Sequence, residues 1–175
     1  MHIVQRDLGP IPETFVAKYV DSGKGAIAVG AAVCYDHTIA AAHAAGTWAE
    51  EELFKVVNKP VTANLLFFAG IVLEIIKRTG TGSNYSSFVR IQKLNQGSVV
   101  RASVKANSTI AVTPLKISDD SWDLVVDGDA TIAVNHTVHT VGYAGETANT
   151  SSTAAVKPVF GILYFSLGST TAETD

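Results

Sequence analysis

The residues able to carry chemistry in this 175-residue chain are few and scattered. Its histidines are His2, His37, His43, His136 and His139. On a strand, His136 and His139 fall on opposite faces, poor geometry for one metal ion. Only an i, i+3 helical placement would let them share a face, and Asn135 with its β-branched neighbours argues against a helix. Asp119, Asp120, Asp123, Asp127 and Asp129 crowd a short stretch, yet they lack the alternating acidic loop with a terminal Glu that a hard cation needs. Solvated turn carboxylates account for them better. Glu50, Glu51 and Glu52 read as a solvated exposed run rather than an acid–base pair, because nothing nearby would raise a carboxyl pKa. Cys34 lies between Val33 and Tyr35, without the basic, partly open setting of a nucleophile, and reads as a buried core thiol. Alone it makes neither an internal disulfide nor a zinc cage. There is no Gly-x-Ser-x-Gly, no phosphate-cradling glycine loop and no nucleotide fingerprint; Gly80-x-Gly82 is two glycines in a polar loop. The expectation is a protein that is not an enzyme and holds no cofactor or metal.

Composition narrows the class further. Lys+Arg total 13 against 16 Asp+Glu, a net charge of −3, which offers no basic patch for phosphates and argues against nucleic acid as a partner. The longest apolar stretch, Leu65 to Ile76, is broken by Gly70 and Glu74 and falls far short of the ~20 residues of a membrane span. The first ten residues lack the apolar core of a secretory signal, so synthesis and folding in a cytoplasm are expected. Only 17% of residues are charged, against about 25% in a typical soluble domain. That shortage fits a surface partly covered by partners, although a Thr-rich exterior of small residues would give the same figure.

The elements that position these residues are mostly strands. Residues 1–14 read as an extended arm, held out of helical geometry by Pro10 and Pro12, with Ile3, Val4, Leu8 and Ile11 as its apolar contacts. Fully extended, such an arm reaches about 45 Å; a frayed terminus is the competing reading. Residues 15–167 read as one β-rich domain and 168–175 as a polar tail. Phe15, Ala17 and Tyr19 alternate with Lys18, and Phe88–Leu94 and Val99–Val104 alternate likewise. Further strands are expected over Ala26–Tyr35, Leu65–Ile76 with Gly70 at a bulge or close approach, Ile110–Ile117, Trp122–Val126, Ala130–Val141 and Val156–Leu167. Asp127-Gly128 predicts a hairpin between two of them. Thr38–Ala45, closed by Gly46, predicts a short helical insertion. Residues 47–57 stay open: Thr47 and Glu50 have capping-box spacing, with Leu53, Phe54 and Val57 on one helical face, while Glu52–Val57 also reads as an edge strand. The class expected is all-β, a barrel or sandwich of short antiparallel strands with a small helical insertion and an extended N-terminal arm. Ile27-Ala28-Val29, Ile110-Ala111-Val112 and Ile132-Ala133-Val134 echo one another at unequal spacing. A shared way of delivering an apolar strand into a core explains the echo without duplication.

Val57-Asn58-Lys59-Pro60-Val61-Thr62-Ala63-Asn64-Leu65, running into Phe68-Ala69-Gly70-Ile71-Val72, resembles the decoration (cement, or head-stabilisation) proteins of tailed-phage capsids. Many of these carry Lys/Arg-Pro-x-Thr-x-Asn-Leu leading to Phe-Ala-Gly-Val/Ile-Val. Tyr19-Val20-Asp21-Ser22-Gly23, Ile27-Ala28-Val29-Gly30, Ile110-Ala111-Val112 and Pro158-Val159-Phe160-Gly161-Ile162-Leu163 extend the resemblance across most of the chain. The Ala-rich insert and the tail have no counterpart in it. The resemblance implies a structural virion protein, often a homotrimer, on the outer surface of an icosahedral head, where it clamps adjacent copies of the major capsid protein. The alternative from another class is a carbohydrate-binding β-sandwich module of a phage fibre or secreted enzyme, with Trp48, Tyr85, Trp122 and Tyr143 as stacking platforms.

Overall fold

The computed structural model describes residues 13–20, 25–36, 56–79, 86–95, 98–105, 113–126, 140–146 and 153–161. Ten strands appear among them: β1 (Thr14–Val20), β2 (Ala32–Tyr35), β3 (Val56–Asn58), β4 (Phe68–Thr79), β5 (Ser86–Gln92), β6 (Val99–Val104), β7 (Pro114–Lys116), β8 (Val125–Val126), β9 (Thr140–Ala144) and β10 (Ala155–Gly161). The all-β expectation holds, with no helix among the described residues. The helical insertion at Thr38–Ala45 and the arm residues Ile3, Val4, Leu8 and Ile11 lie outside them.

The first five strands close into a barrel in the order β1-β3-β2-β4-β5. Strands β1 and β3 run parallel, pairing Lys18 with Val56 and Tyr19 with Val57, and every other contact in the barrel is antiparallel. Val57 is therefore on a strand, not a helical face, and that strand has neighbours on both sides rather than forming an edge. The last five strands form a second sheet, β6-β10-β9-β7-β8. Its two edges meet in one parallel bridge, Val104 to Leu124, secured by Leu124 N–H to Ser103 O (2.8 Å) and Lys105 N–H to Leu124 O (2.9 Å). The sheet thus curls into a second, partly closed barrel. Strand β8 pairs with β7 among the described residues, and the hairpin expected at Asp127-Gly128 lies outside them.

The two barrels are one fold built twice. Each strand of the first has its counterpart in the second, with the same neighbours and the same register. Tyr19 beside Val57 matches Val104 beside Leu124. Val33 opposite Gly70 matches Leu115 opposite Gly142, and in both barrels the register shifts one residue later, at Cys34 and at Lys116. Val72 opposite Ile91 matches Ala144 opposite Val159. Bonds outside the ladders recur too: Val72 N–H to Ala31 O and Ala144 N–H to Thr113 O, and Lys93 N–H to Glu13 O and Gly161 N–H to Ser98 O, all at 2.9 Å. Of the Ile-Ala-Val echoes, Ile110-Ala111-Val112 and Ile132-Ala133-Val134 lie outside the described residues.

Equivalent positions fill the two cores. Ala17, Tyr19, Val33, Val57, Ala69, Val72 and Ile91 pack inside the first barrel. Ala102, Val104, Leu115, Leu124, Val141, Ala144 and Val159 do so in the second. Residue volume is traded between them, Tyr19 for Val104 in one direction and Val33 and Val57 for Leu115 and Leu124 in the other, as volume-conserving cores allow. Strand β2 serves both. Val33 points into the first core, while Ala32 and Cys34 join the second together with Ile71 and Leu65. Burial on both faces explains why Ala32–Cys34 is uniformly apolar instead of alternating.

Candidate binding surface

The chemistry-bearing residues that the structure places are occupied in holding turns together. Asp119 accepts the Thr62 N–H (2.5 Å), Asp120 pairs with Lys59 (2.8 Å), and Asp123 accepts the Ser103 hydroxyl (2.6 Å). The first two clip the loop before β8 onto the segment before β4 and the third ties it to β6, which accounts for the acidic run at Asp119, Asp120 and Asp123. Asp127, Asp129, Glu50–Glu52 and all five histidines fall outside the described residues. Burial pushes the Cys34 thiol far above its ordinary range, and Cys34 lies wholly enclosed at the junction of the two barrels. That is the setting of an inert core thiol.

The segment that carries the resemblance forms the connection from β3 to β4. Asn58 donates to Asp36 Oδ2 (2.8 Å) and accepts from the Lys59 N–H. Asn64 accepts the Val61 N–H (2.7 Å) and donates to the Lys59 carbonyl (3.2 Å), closing the turn upon itself. Leu65 is then driven into the shared core, while Leu66 and Phe67, the next two residues, stand 58% and 48% exposed. Two adjacent large apolar side chains presented by a turn braced by side-chain bonds are the kind of feature that a partner covers.

A chain of contacts ties this pair to the place where the N-terminal segment leaves the barrel. Tyr35 N–H donates to Phe67 O (2.8 Å), the Tyr35 and Phe15 rings stack at 5.9 Å, and the Lys93 ammonium sits 5.9 Å from the Phe15 ring. Lys93 also pairs with Glu13 (2.5 Å), the first described residue. The pairing lowers the Glu13 carboxyl pKa and raises that of Lys93, chiefly through their hydrogen bond. One end of the first barrel therefore gathers an aromatic stack, an exposed apolar pair and the exit of the segment bearing Ile3, Val4, Leu8 and Ile11. Sequence reasoning had singled out the segment but not Leu66 and Phe67. They sat inside an apolar run, and only the turn at 62–66 takes them out of it.

Of the four aromatic stacking candidates, Trp48 and Tyr85 lie outside the described residues. Trp122 is half-buried, edge-to-face with Tyr19 at 5.6 Å and capped by Lys59 at 6.0 Å, so its ring is engaged within the protein. Tyr143 is half-buried on β9. No family model, no curated protein and no solved structure matches the chain at a significant level.

Proposed function

We propose that this chain is a decoration protein of a tailed-phage capsid, a structural component that binds the outer surface of the icosahedral head and clamps adjacent major capsid protein subunits. It works by surface contact and not by catalysis. The observation that carries the reading is the end of the first barrel, where Leu66 and Phe67 stand exposed on the motif-bearing connection beside the exit of the N-terminal segment. An apolar centre on a rigid scaffold, extended by a segment able to lie across the neighbouring subunit or add to a sheet edge, suits a clamp. Many copies bound side by side turn a modest affinity per contact into strong retention.

Co-sedimentation with heads of the phage that encodes the chain tests the reading. The full chain should pellet with the heads. Deleting residues 1–12, which leaves Glu13 on Lys93, should weaken binding about tenfold or more with little change in melting temperature. Leu66→Glu with Phe67→Glu should do the same. Failure of the full chain to bind heads would sink the proposal, and equal occupancy by the truncated protein would remove the N-terminal segment from it.

A further inference from the structure

We propose that the wall of the first barrel formed by β1, β5 and β4 is a further protein-binding face, one that takes an acidic, apolar-centred surface of the neighbouring capsid subunit. The inference rests on the capsid reading: a clamp has to hold two subunits, and the apolar end of the barrel supplies one contact. Strand β1 buries Ala17 and Tyr19 and turns Val16 and Lys18 outward, while β5 buries Ser87, Val89 and Ile91 and turns Phe88 and Arg90 outward. On β4 the register shifts between Val72 and Glu74 and again between Ile75 and Lys77. A shift of this kind sets two residues against one, so the strand offers Ile76 to the outside as well as Glu74 and Lys77.

The pairing aligns these side chains into rows across three strands. Lys18, Phe88 and Lys77 form one row, and Val16, Arg90 and Glu74 form the next. Neighbouring strands lie about 4.8 Å apart, so Phe88 stands between two lysines whose backbones are about 10 Å from one another. Phe88 at 43% exposure, Ile76 at 45% and Val16 at 48% make an apolar centre. Arg90 pairs with Glu74 at 2.9 Å, while Lys18 and Lys77 make no ion pair among the described residues. Three cations thus meet one carboxylate here, in a chain whose net charge is −3. A protein interface is apolar at its centre and polar at its rim, and a rim of one sign selects a partner of the other. Carboxylates around an apolar patch are therefore what this face fits. It is poorly built for nucleic acid: Val16 and Ile76 are aliphatic and give bases nothing to stack on, and two unpaired lysines neutralise few phosphates. The face is also set apart from the first contact. Phe88 lies five residues before Lys93, about 17 Å along the strand direction, so it is distant from the aromatic stack where the N-terminal segment leaves.

Co-sedimentation with heads across a salt series tests the face. Wild-type binding should weaken at least about threefold between about 0.05 and 0.5 M NaCl, because opposite charges at an exposed rim are screened. Lys18→Glu with Lys77→Glu should bind at least about tenfold more weakly at the low-salt end, and added salt should no longer weaken it. Phe88→Ala should lose affinity and keep the wild-type salt dependence. These side chains stand outside the core, so melting temperatures should stay near that of the wild type. Lys18→Gln with Lys77→Gln gives the same reading should the charge reversal lose its thermal transition. A fluorescein-labelled oligothymidylate should not bind. A wild type that binds no heads at any salt concentration would end the capsid reading and this inference with it. Salt-insensitive binding by the wild type, or equal binding by the lysine variants, would overturn the face alone and leave the capsid reading standing. Oligothymidylate bound by the wild type and lost in the lysine variants would assign the face to nucleic acid and overturn the proposal as well.

Discussion

At the scale of single residues, the repeat turns one barrel into a control for the other. Gly70 and Gly142 occupy the same place, and neither site has room for a side chain. A Cβ on Gly70 would fall on the Gln92 carbonyl oxygen and against Ile91, and one on Gly142 would lie 2.7 Å from Val159 Cγ1 and 2.8 Å from the Phe160 oxygen. Gly70 also holds φ at 142°, which L side chains rarely adopt. Gly70→Ala should therefore cost about 3 kcal/mol, read from denaturant unfolding; a loss below 1 kcal/mol would contradict the close approach. Ser87 makes the opposite case. Its hydroxyl is buried without a hydrogen-bond partner among the described residues, and the matching position is Ala155. Ser87→Ala should leave stability unchanged or raise it by about 1 kcal/mol, because an unpaired buried hydroxyl is lost and no bond goes with it.

At the scale of elements, the start of β1 is fixed by a salt-dependent clasp. Glu13 and Lys93 are joined by backbone and side chain, with the Glu13 carboxyl lowered from its ordinary 4.5 and Lys93 raised from its ordinary 10.5. A lowered carboxyl stabilises above its ordinary pKa and stops doing so as pH falls through the lowered value. A raised ammonium stabilises below its ordinary pKa and stops as pH rises through the raised value. The melting-temperature difference between wild type and Glu13→Gln should hence be flat near neutrality and shrink below pH 4.5. The pair is exposed, so the difference is small and falls with added salt. An acid-side difference that grew instead would refute the assignment.

At the scale of the whole molecule, β2 and β4 are strands of the first barrel that bury residues in both cores, and that sharing predicts cooperativity. Separating the barrels would uncover Ala32, Cys34, Ile71 and Leu65 at once. Calorimetry should show one unfolding transition, and the Cys34 thiol should react with a maleimide only at the rate of that global opening. Leu124→Ala, in the second core beside the seam, should lower the single transition by about 3 kcal/mol without splitting it. Two resolved transitions would mean that the barrels are independent.

Alternation and turn residues were enough to read the strands that bury one face only. Phe15-x-Ala17-x-Tyr19 and Val99–Val104 are such cases, because a half-buried strand writes its burial into every second residue. The all-β class, the close approach at Gly70 and the buried thiol at Cys34 were legible in the same way. The duplication was not, although Ala17 and Ala102, Gly70 and Gly142, and Glu74 and Glu146 coincide. Cores conserve volume rather than identity, so Tyr19 stands where the repeat has Val104 and Val33 where it has Leu115, and unequal loops hide the period. Which apolar residues are buried and which are displayed was likewise decided in three dimensions. Leu65 and Leu66 are neighbours of one type, and only the turn closed by Asn64 sends the first into the core and the second to the surface. By itself the chain determined what its strands are made of; the closure of one sheet, the near-closure of the other and their shared wall decided which faces remain open, because burial depends on what arrives opposite a residue from elsewhere in the fold.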